Sequence, residues 1–378
     1  MTRQDSFDIS YVTVDSLSEG VGSSQVTPLI AGLSKSGMKI LLISYEKRNP
    51  TLQLQEYFES IGVVWKPRAF GSNGPLGGVS RMNDLRREIP ESSLIHARSD
   101  MPAVSAIASG QAPVLWDVRS LWADQKIIIQ KSLLNSSLYG TYRGLESIAA
   151  SRSTGMSTLT SKVIPELEKR HKRLPKLRTV VPTAVDLDYF KFNPVMPSKL
   201  KTLFSGTYNN YYDLPLSSLF MQEFQKLIEV ETHWARPSES TKMRLGVGES
   251  RVFPSSQTGM ASLIPNYSFG VSVCKIDAGP SLTAAMPTKI GEYLACGRPV
   301  VVNKGLGDMD EFIQEYNVGV ILDGTRSNLS ESATKLANLL SDSETPFRCR
   351  ALAEKYFSME NGIKQYLNLY SKILNSRD

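Results

Sequence analysis

Lys289 and Glu292 stand three residues apart on the opening turns of a helix that Pro287 starts and Gly297 ends. On one helix face, a cation beside the open amides of a helix N-terminus suits a diphosphate. A carboxylate one turn further on can accept two hydrogen bonds from the hydroxyls of a ribose. The same spacing also fits an ordinary ion pair worth a few tenths of a kcal/mol. A second candidate is the loop Ser18-Glu19-Gly20-Val21-Gly22-Ser23-Ser24-Gln25, which follows a strand and opens a helix. Gly20 and Gly22 let a nucleotide or sugar approach the backbone there, and the helix N-terminus favours an anion. The loop lacks the third glycine of the dinucleotide fingerprint, although Glu46, at the end of the next strand, stands where a ribose-binding acid would; a plain strand-to-helix turn is the other reading. Asp117 and Arg119 at one strand end, and His96 and Arg98 at another, project from the carboxyl edge of a sheet, where doubly wound folds bind ligands. Ion pairs that only stabilise loops account for them equally well.

Other chemistries are poorly served. The three cysteines, Cys274, Cys296 and Cys349, have no paired spacing, and the three histidines, His96, His171 and His233, have no metal-ligand spacing. Neither a disulfide framework nor a metal site is expected. Asp186-Leu-Asp188 and Asp308-Met-Asp310 have the pattern that holds a divalent ion in some transferases, but Asp186 follows a strand end and Asp308 opens a helix as an N-cap. The formal net charge of +6 gathers in 162–178, with seven basic residues against two acidic ones. That run suits a solvated helix face, a patch held against anionic lipid, or a nucleic-acid contact. It carries no aromatic residue to stack a base, which counts against single-stranded nucleic acid.

The elements that must position these residues form a repeating pattern. Short apolar strands at 9–14, 39–44, 94–98, 114–118, 156–160 and 179–182 alternate with amphipathic helices. In the 23–36 helix, Val26, Leu29, Ile30 and Leu33 share one face. After a proline-containing linker near 193–199 the pattern restarts, with strands at 201–205, 231–235, 251–254, 270–274, 300–303 and 318–322. A length of 378 residues suits two such domains, and alternation of strand and helix predicts parallel sheets covered on both faces. The boundaries expected are 1–194 and 195–356, with a helix over 357–378 packing back on the first domain through Ile363, Tyr366, Leu367, Tyr370, Ile373 and Leu374. No run approaches the roughly 18 apolar residues of a spanning helix, and the N-terminus lacks a secretory signal, so a cytoplasmic protein is expected.

Several blocks in order carry a family likeness. The segment from Met286 to Asn303, the run Gly305-Leu-Gly-Asp308, and Val318-Gly319 resemble the donor-nucleotide site of retaining glycosyltransferases of family 4 (glycosyl transferases group 1). Glu19 to Gly22, Ile95 to Arg98, Val181 to Phe190 and Tyr356 to Glu360 are similar to the same family. The resemblance spans nearly the whole chain. It implies a GT-B fold: two Rossmann-like doubly wound domains with a cleft between them and a last helix crossing back. It also implies a nucleoside diphosphate sugar bound to the second domain and an acceptor on the first.

Two departures shape the site expected. The family often has an acidic residue eight positions before the ribose-binding glutamate, where this chain has Ala284. Its basic pair after the first strand of the second domain is missing from 205–213, so Arg236, Lys275 and Lys289 are the candidates to neutralise the phosphates. The expectation is a metal-independent hexosyl transfer from a nucleotide sugar to a glycan, lipid-linked or small-molecule acceptor, with retention and without a cofactor. Pro287, Thr288, Lys289, Glu292, Lys275, Gly20 and Gly22 would bind the donor, and Lys289, Arg236, Asp117 and Arg119 would serve the reaction. A lipid-linked acceptor would place the enzyme at the inner face of the cell membrane, with 162–178 touching anionic head groups. A nucleotide-sugar epimerase and a degenerate nucleotide- or glycan-binding scaffold are the alternatives.

Overall fold

The computed structural model describes residues 7–205, 209–235, 252–253 and 257–376. The chain forms two compact units, each built on its own sheet. In the first, β1 (Phe7–Val12), β2 (Ile40–Glu46), β3 (Val64–Ala69), β4 (Ser92–Arg98), β5 (Val114–Val118), β6 (Gly155–Thr158) and β7 (Leu177–Val180) pair in the order β3-β2-β1-β4-β5-β6-β7. In the second, β8 (Lys201–Ser205), β9 (Glu231–Ala235), β10 (Val252–Phe253), β11 (Phe269–Ser272), β12 (Val300–Asn303) and β13 (Gly319–Leu322) pair in the order β10-β9-β8-β11-β12-β13. Every ladder is parallel. Strand order reverses between β1 and β4 in one sheet and between β8 and β11 in the other, and the loops beyond these strand ends are where a doubly wound sheet receives ligands.

Central strands are legible because both faces are buried. In β2 all seven residues are buried, and Ile40 to Ile43 form an unbroken apolar run. Strand β3, with the sequence VWKPRA, carries no such signal because it is an edge with four exposed residues, and Pro67 is tolerated there. The helix read over 23–36 begins instead as a π-turn at Gly22–Val26 and becomes regular only over Thr27–Lys35. Gly22 is required by close approach: a Cβ at this position would lie 2.0 Å from the Ser16 carbonyl oxygen.

The last helix, Met359–Asn375, belongs to the first unit and buries Tyr366, Leu369, Tyr370 and Ile373 in its core. It packs on β7, β4 and the Thr27–Lys35 helix. The approach is close enough that a Cβ on Gly32 would meet Ile363 Cδ1 at 2.1 Å. The chain leaves the first unit after Val181 and re-enters it at Met359, while 124–132 also packs with the second unit. The expected break at 194/195 therefore lies inside the second unit. The reason is two buried or half-buried guanidiniums: Arg350 donates to the Phe190 and Ala295 carbonyls at 3.2 and 3.1 Å, and Arg298 to those of Val195 and Pro265 at 2.9 and 2.8 Å.

Candidate functional site

In the second unit, the Thr288–Ala295 helix is buried from Lys289 to its end, so its polar residues are not a solvated face. Lys289 is 9% exposed and Glu292 8%. Pro287 occupies the N-cap position in extended conformation. The Lys289 ammonium sits 4.2 Å above the centre of the Tyr212 ring. Tyr212 is fixed there by an isolated antiparallel bridge to Cys274, two residues beyond β11, and the Cys274 amide donates to Asn303 Oδ1 at 2.7 Å. Burial pushes the Lys289 ammonium down to about 8, against the opposing pull of Cys274 and Glu292. Burial likewise pushes the Cys274 thiol up to about 12. An anion entering beside Lys289 would favour its charged form and raise this value again.

Around this centre, Lys275 is half-buried, and its amide donates to the Tyr211 carbonyl at 2.9 Å. Ser281 Oγ donates to the Tyr211 hydroxyl at 2.9 Å, and Gly279, at φ +58°, turns the chain just before Pro280. Thr288 is half-buried at the helix start, and Ala284 is fully buried. Arg236 lies outside the described residues. Sequence reasoning missed Tyr212: no local pattern marks a ring that meets Lys289 from 77 positions away.

The acidic pairs serve turns. Asp186 Oδ1 accepts from the amides of Asp188 and Tyr189 at 2.9 and 3.4 Å, and the Asp310 carboxylate accepts from the Gly305 amide. Asp308 occupies the N-cap position of the Met309–Tyr316 helix without a side-chain capping bond. No group of three metal-ligating side chains occurs among the described residues.

In the first unit, Gly20, at φ +57°, and Gly22 lie in the loop that follows β1. The loop is held by Glu46, whose carboxylate accepts from Ser16 Oγ at 2.7 Å, the Leu17 amide at 2.9 Å, Ser18 Oγ at 2.9 Å and Ser44 Oγ at 2.7 Å. That use replaces the ribose contact considered from sequence, because both oxygens are committed to the loop and its strand.

His96, Arg98, Asp117 and Arg119 come together as a buried cluster at the carboxyl edge of β4 and β5. Asp117 is fully buried; its Oδ1 accepts from Ser157 Oγ at 2.9 Å and from the Tyr366 hydroxyl at 3.3 Å, and lies 3.6 Å from Arg119 Nη1. Its Oδ2 is 3.4 Å from His96 Nε2 and 3.8 Å from Arg98 Nη1. His96 Nδ1 bonds the Tyr370 hydroxyl at 2.7 Å. Burial raises the Asp117 carboxyl, but Arg119, His96 and Arg98 outweigh it and hold the group well below the usual carboxylate range. Burial keeps His96 below its usual value despite Asp117. Arg98 Nε donates to Asp15 Oδ2 at 2.7 Å, and the Nη2 atoms of Arg98 and Arg119 both donate to Gln25 Oε1, at 2.7 and 3.0 Å. Gln25, Asp15 and Tyr366 are members that the sequence did not reveal.

The basic run is mixed. Arg170 bonds Glu166 at 2.7 Å and lies 3.8 Å from Glu146, and Arg178 pairs with Glu168 at 2.7 Å. Lys162, Lys169, Lys172, Arg173 and Lys176 are exposed. No described helix is long and apolar enough to cross a membrane.

Compared with known proteins, the chain matches no family model and no curated protein. It does match solved structures along nearly its whole length. Sucrose-phosphate synthase from Thermosynechococcus elongatus superimposes with a TM-score of 0.70 at 12% identity, over 97% of this chain and 99% of that one. Anabaena HepE, in complex with UDP and glucose, gives 0.65 at 14% identity over 97% and 100%. The fold is GT-B. WaaG, a glycosyltransferase involved in lipopolysaccharide biosynthesis, gives 0.64 at 14% identity over 94% and 98% of the two chains. In this GT-B chain, the Lys289–Glu292 helix and the Arg98–Arg119 cluster belong to different units, one for each sheet.

Proposed function

We propose that the chain is a glycosyltransferase that moves a hexose from a nucleoside diphosphate sugar to a glycan, lipid-linked or small-molecule acceptor. The observation that carries this reading is the buried Lys289 and Glu292 on one helix of a GT-B chain, beside the reversal of strand order in the second sheet. Structural neighbours crystallised with UDP and UDP-glucose support a nucleotide-sugar donor. Glu292 would accept from the ribose hydroxyls, and Lys289, with Lys275 and Arg236, would face the diphosphate.

Membership of family 4 and retention of configuration are part of the proposal. The bond from the anomeric carbon to the leaving phosphate oxygen breaks, and the acceptor oxygen bonds that carbon from the same face. The acceptor's proton passes to the leaving phosphate, so no separate base is needed. The protein's share is electrostatic, because charge develops on the phosphate as it leaves and Lys289 with the helix amides offsets it. No metal or cofactor is required in this scheme, and activity should survive EDTA. If the acceptor is lipid-linked, the exposed lysines of 162–178 would hold the enzyme at the cytoplasmic face of the membrane. Incubation with UDP-glucose and an acceptor panel tests the reading: transfer with retained configuration supports it. Interconversion of the nucleotide sugar without any acceptor overturns it in favour of an epimerase.

A further inference from the structure

We infer that Arg98 and Arg119 form a receptor for an oxyanion, a carboxylate or phosphate, carried by the acceptor. The inference rests on the proposed transfer only in naming the acceptor as the carrier. Two guanidiniums on different strand ends aim their Nη2 atoms at one point, held by the Gln25 amide oxygen at 2.7 and 3.0 Å. Gln25 brings a neutral oxygen to two cationic donors, so these bonds are charge-assisted from the donor side only, whereas a carboxylate or phosphate adds the second charge and a bidentate fit. The Nε of Arg119 is buried and makes no hydrogen bond, an open donor on the same guanidinium.

Counter-charge is present without consuming those donors. Asp15 takes Arg98 Nε, and Asp117 stays at 3.6 and 3.8 Å from the two guanidiniums while bonding Ser157 and Tyr366. Of the other titratable neighbours, burial holds His96 below its usual value and raises the Tyr11 and Tyr366 hydroxyls, so none of them adds a charge that the aspartates must balance. Formal charges of the two arginines and two aspartates cancel, so an entering anion is selected by the fork geometry rather than by net field. A carboxylate or phosphate fits such a fork, and a halide does not. Access is also set by Gln25. Its side chain is partly exposed beside the Gly20–Gly22 loop, whereas the side chains of Arg98 and Arg119 are only 4% and 10% exposed. A ligand therefore reaches the guanidiniums by displacing Gln25.

The test is calorimetric titration of the full chain with D-glucuronate, glucose 6-phosphate and glucose, with UDP present to occupy the second unit and again without it. One anion should bind at least about tenfold more tightly than glucose, the equivalent of one charge-assisted hydrogen bond, and chloride should not compete. Comparing the glucuronate and glucose 6-phosphate arms identifies which oxyanion is preferred. Gln25→Glu supplies the site with its own carboxylate, so it should raise the melting temperature and abolish anion binding. Gln25→Ala should keep that binding. Equal anion binding by wild type and Gln25→Glu, or no preference for either anion over glucose, overturns the inference. Failure of UDP to bind would count against the donor site alone, since the Gln25 variants report on the first unit.

Discussion

In the first unit Arg98 and Arg119 are paired with the buried Asp117 and the partly exposed Asp15, whereas in the second Lys289 is buried against the Tyr212 ring and beside Cys274, with Glu292 one turn away. The consequences differ in sign. The first cluster holds Asp117 ionised well below its usual range, and the second pushes Lys289 toward its neutral form. A self-compensated cluster is costly to break by removing one partner, and it fixes directions for its donors. A desolvated ammonium gains most when an anion arrives.

The largest effect expected from breaking this contrast is at Asp117. Asp117→Ala removes the buried counter-charge of two arginines and should cost about 3–5 kcal/mol, read as a lower denaturation midpoint. The sign with pH follows from the depressed carboxyl: its contribution is complete above the unfolded value near 4 and is lost as pH falls through the folded one. Acid unfolding of Asp117→Asn should accordingly be less steep than that of wild type.

Next is Glu292. Glu292→Gln should leave the melting temperature nearly unchanged and weaken nucleoside diphosphate binding by roughly tenfold to over a hundredfold, the worth of about 1.5–3 kcal/mol. For Lys289 the expectation concerns protons. Its ammonium, pushed down to about 8, is mostly neutral at pH 9, so diphosphate binding should take up a proton and weaken by up to about tenfold per pH unit above 8. Calorimetry in buffers of different ionisation enthalpy measures that uptake. Lys289→Arg, which stays charged, should lose the pH dependence.

The smallest effect is expected from the exposed basic residues. Neutralising Lys162, Lys169, Lys172 and Arg173 together should reduce cosedimentation with anionic vesicles at low salt, at about 1 kcal/mol for each residue near the surface. Nucleotide affinity should not change. Arg170 is left intact because its ties to Glu166 and Glu146 give it a structural role.

Local pattern made most of the fold readable. The buried strands of both sheets announce themselves as apolar runs, and the last helix by its single apolar face, whereas β3 is hidden by edge exposure and Pro67. That Lys289 and Glu292 share one helix was readable from their spacing. What faces them was not, because Tyr212 arrives from another segment, just as Gln25 and Tyr366 reach Arg119 from distant parts of the chain. Glu46 shows the converse: its position matched a ribose-binding acid, but three neighbouring hydroxyls and a backbone amide claim its oxygens. Sequence places a charged group at a strand end; only the fold decides what it meets.

On the proposed reading, the buried helix bearing Lys289 and Glu292 receives the diphosphate and ribose of a nucleotide sugar. Calorimetric titration of UDP into wild type, Lys289→Ala and Glu292→Gln tests it most directly. Binding to wild type that falls at least tenfold in each variant, with the fold intact by circular dichroism, is the result expected. UDP affinity equal in all three proteins would contradict it.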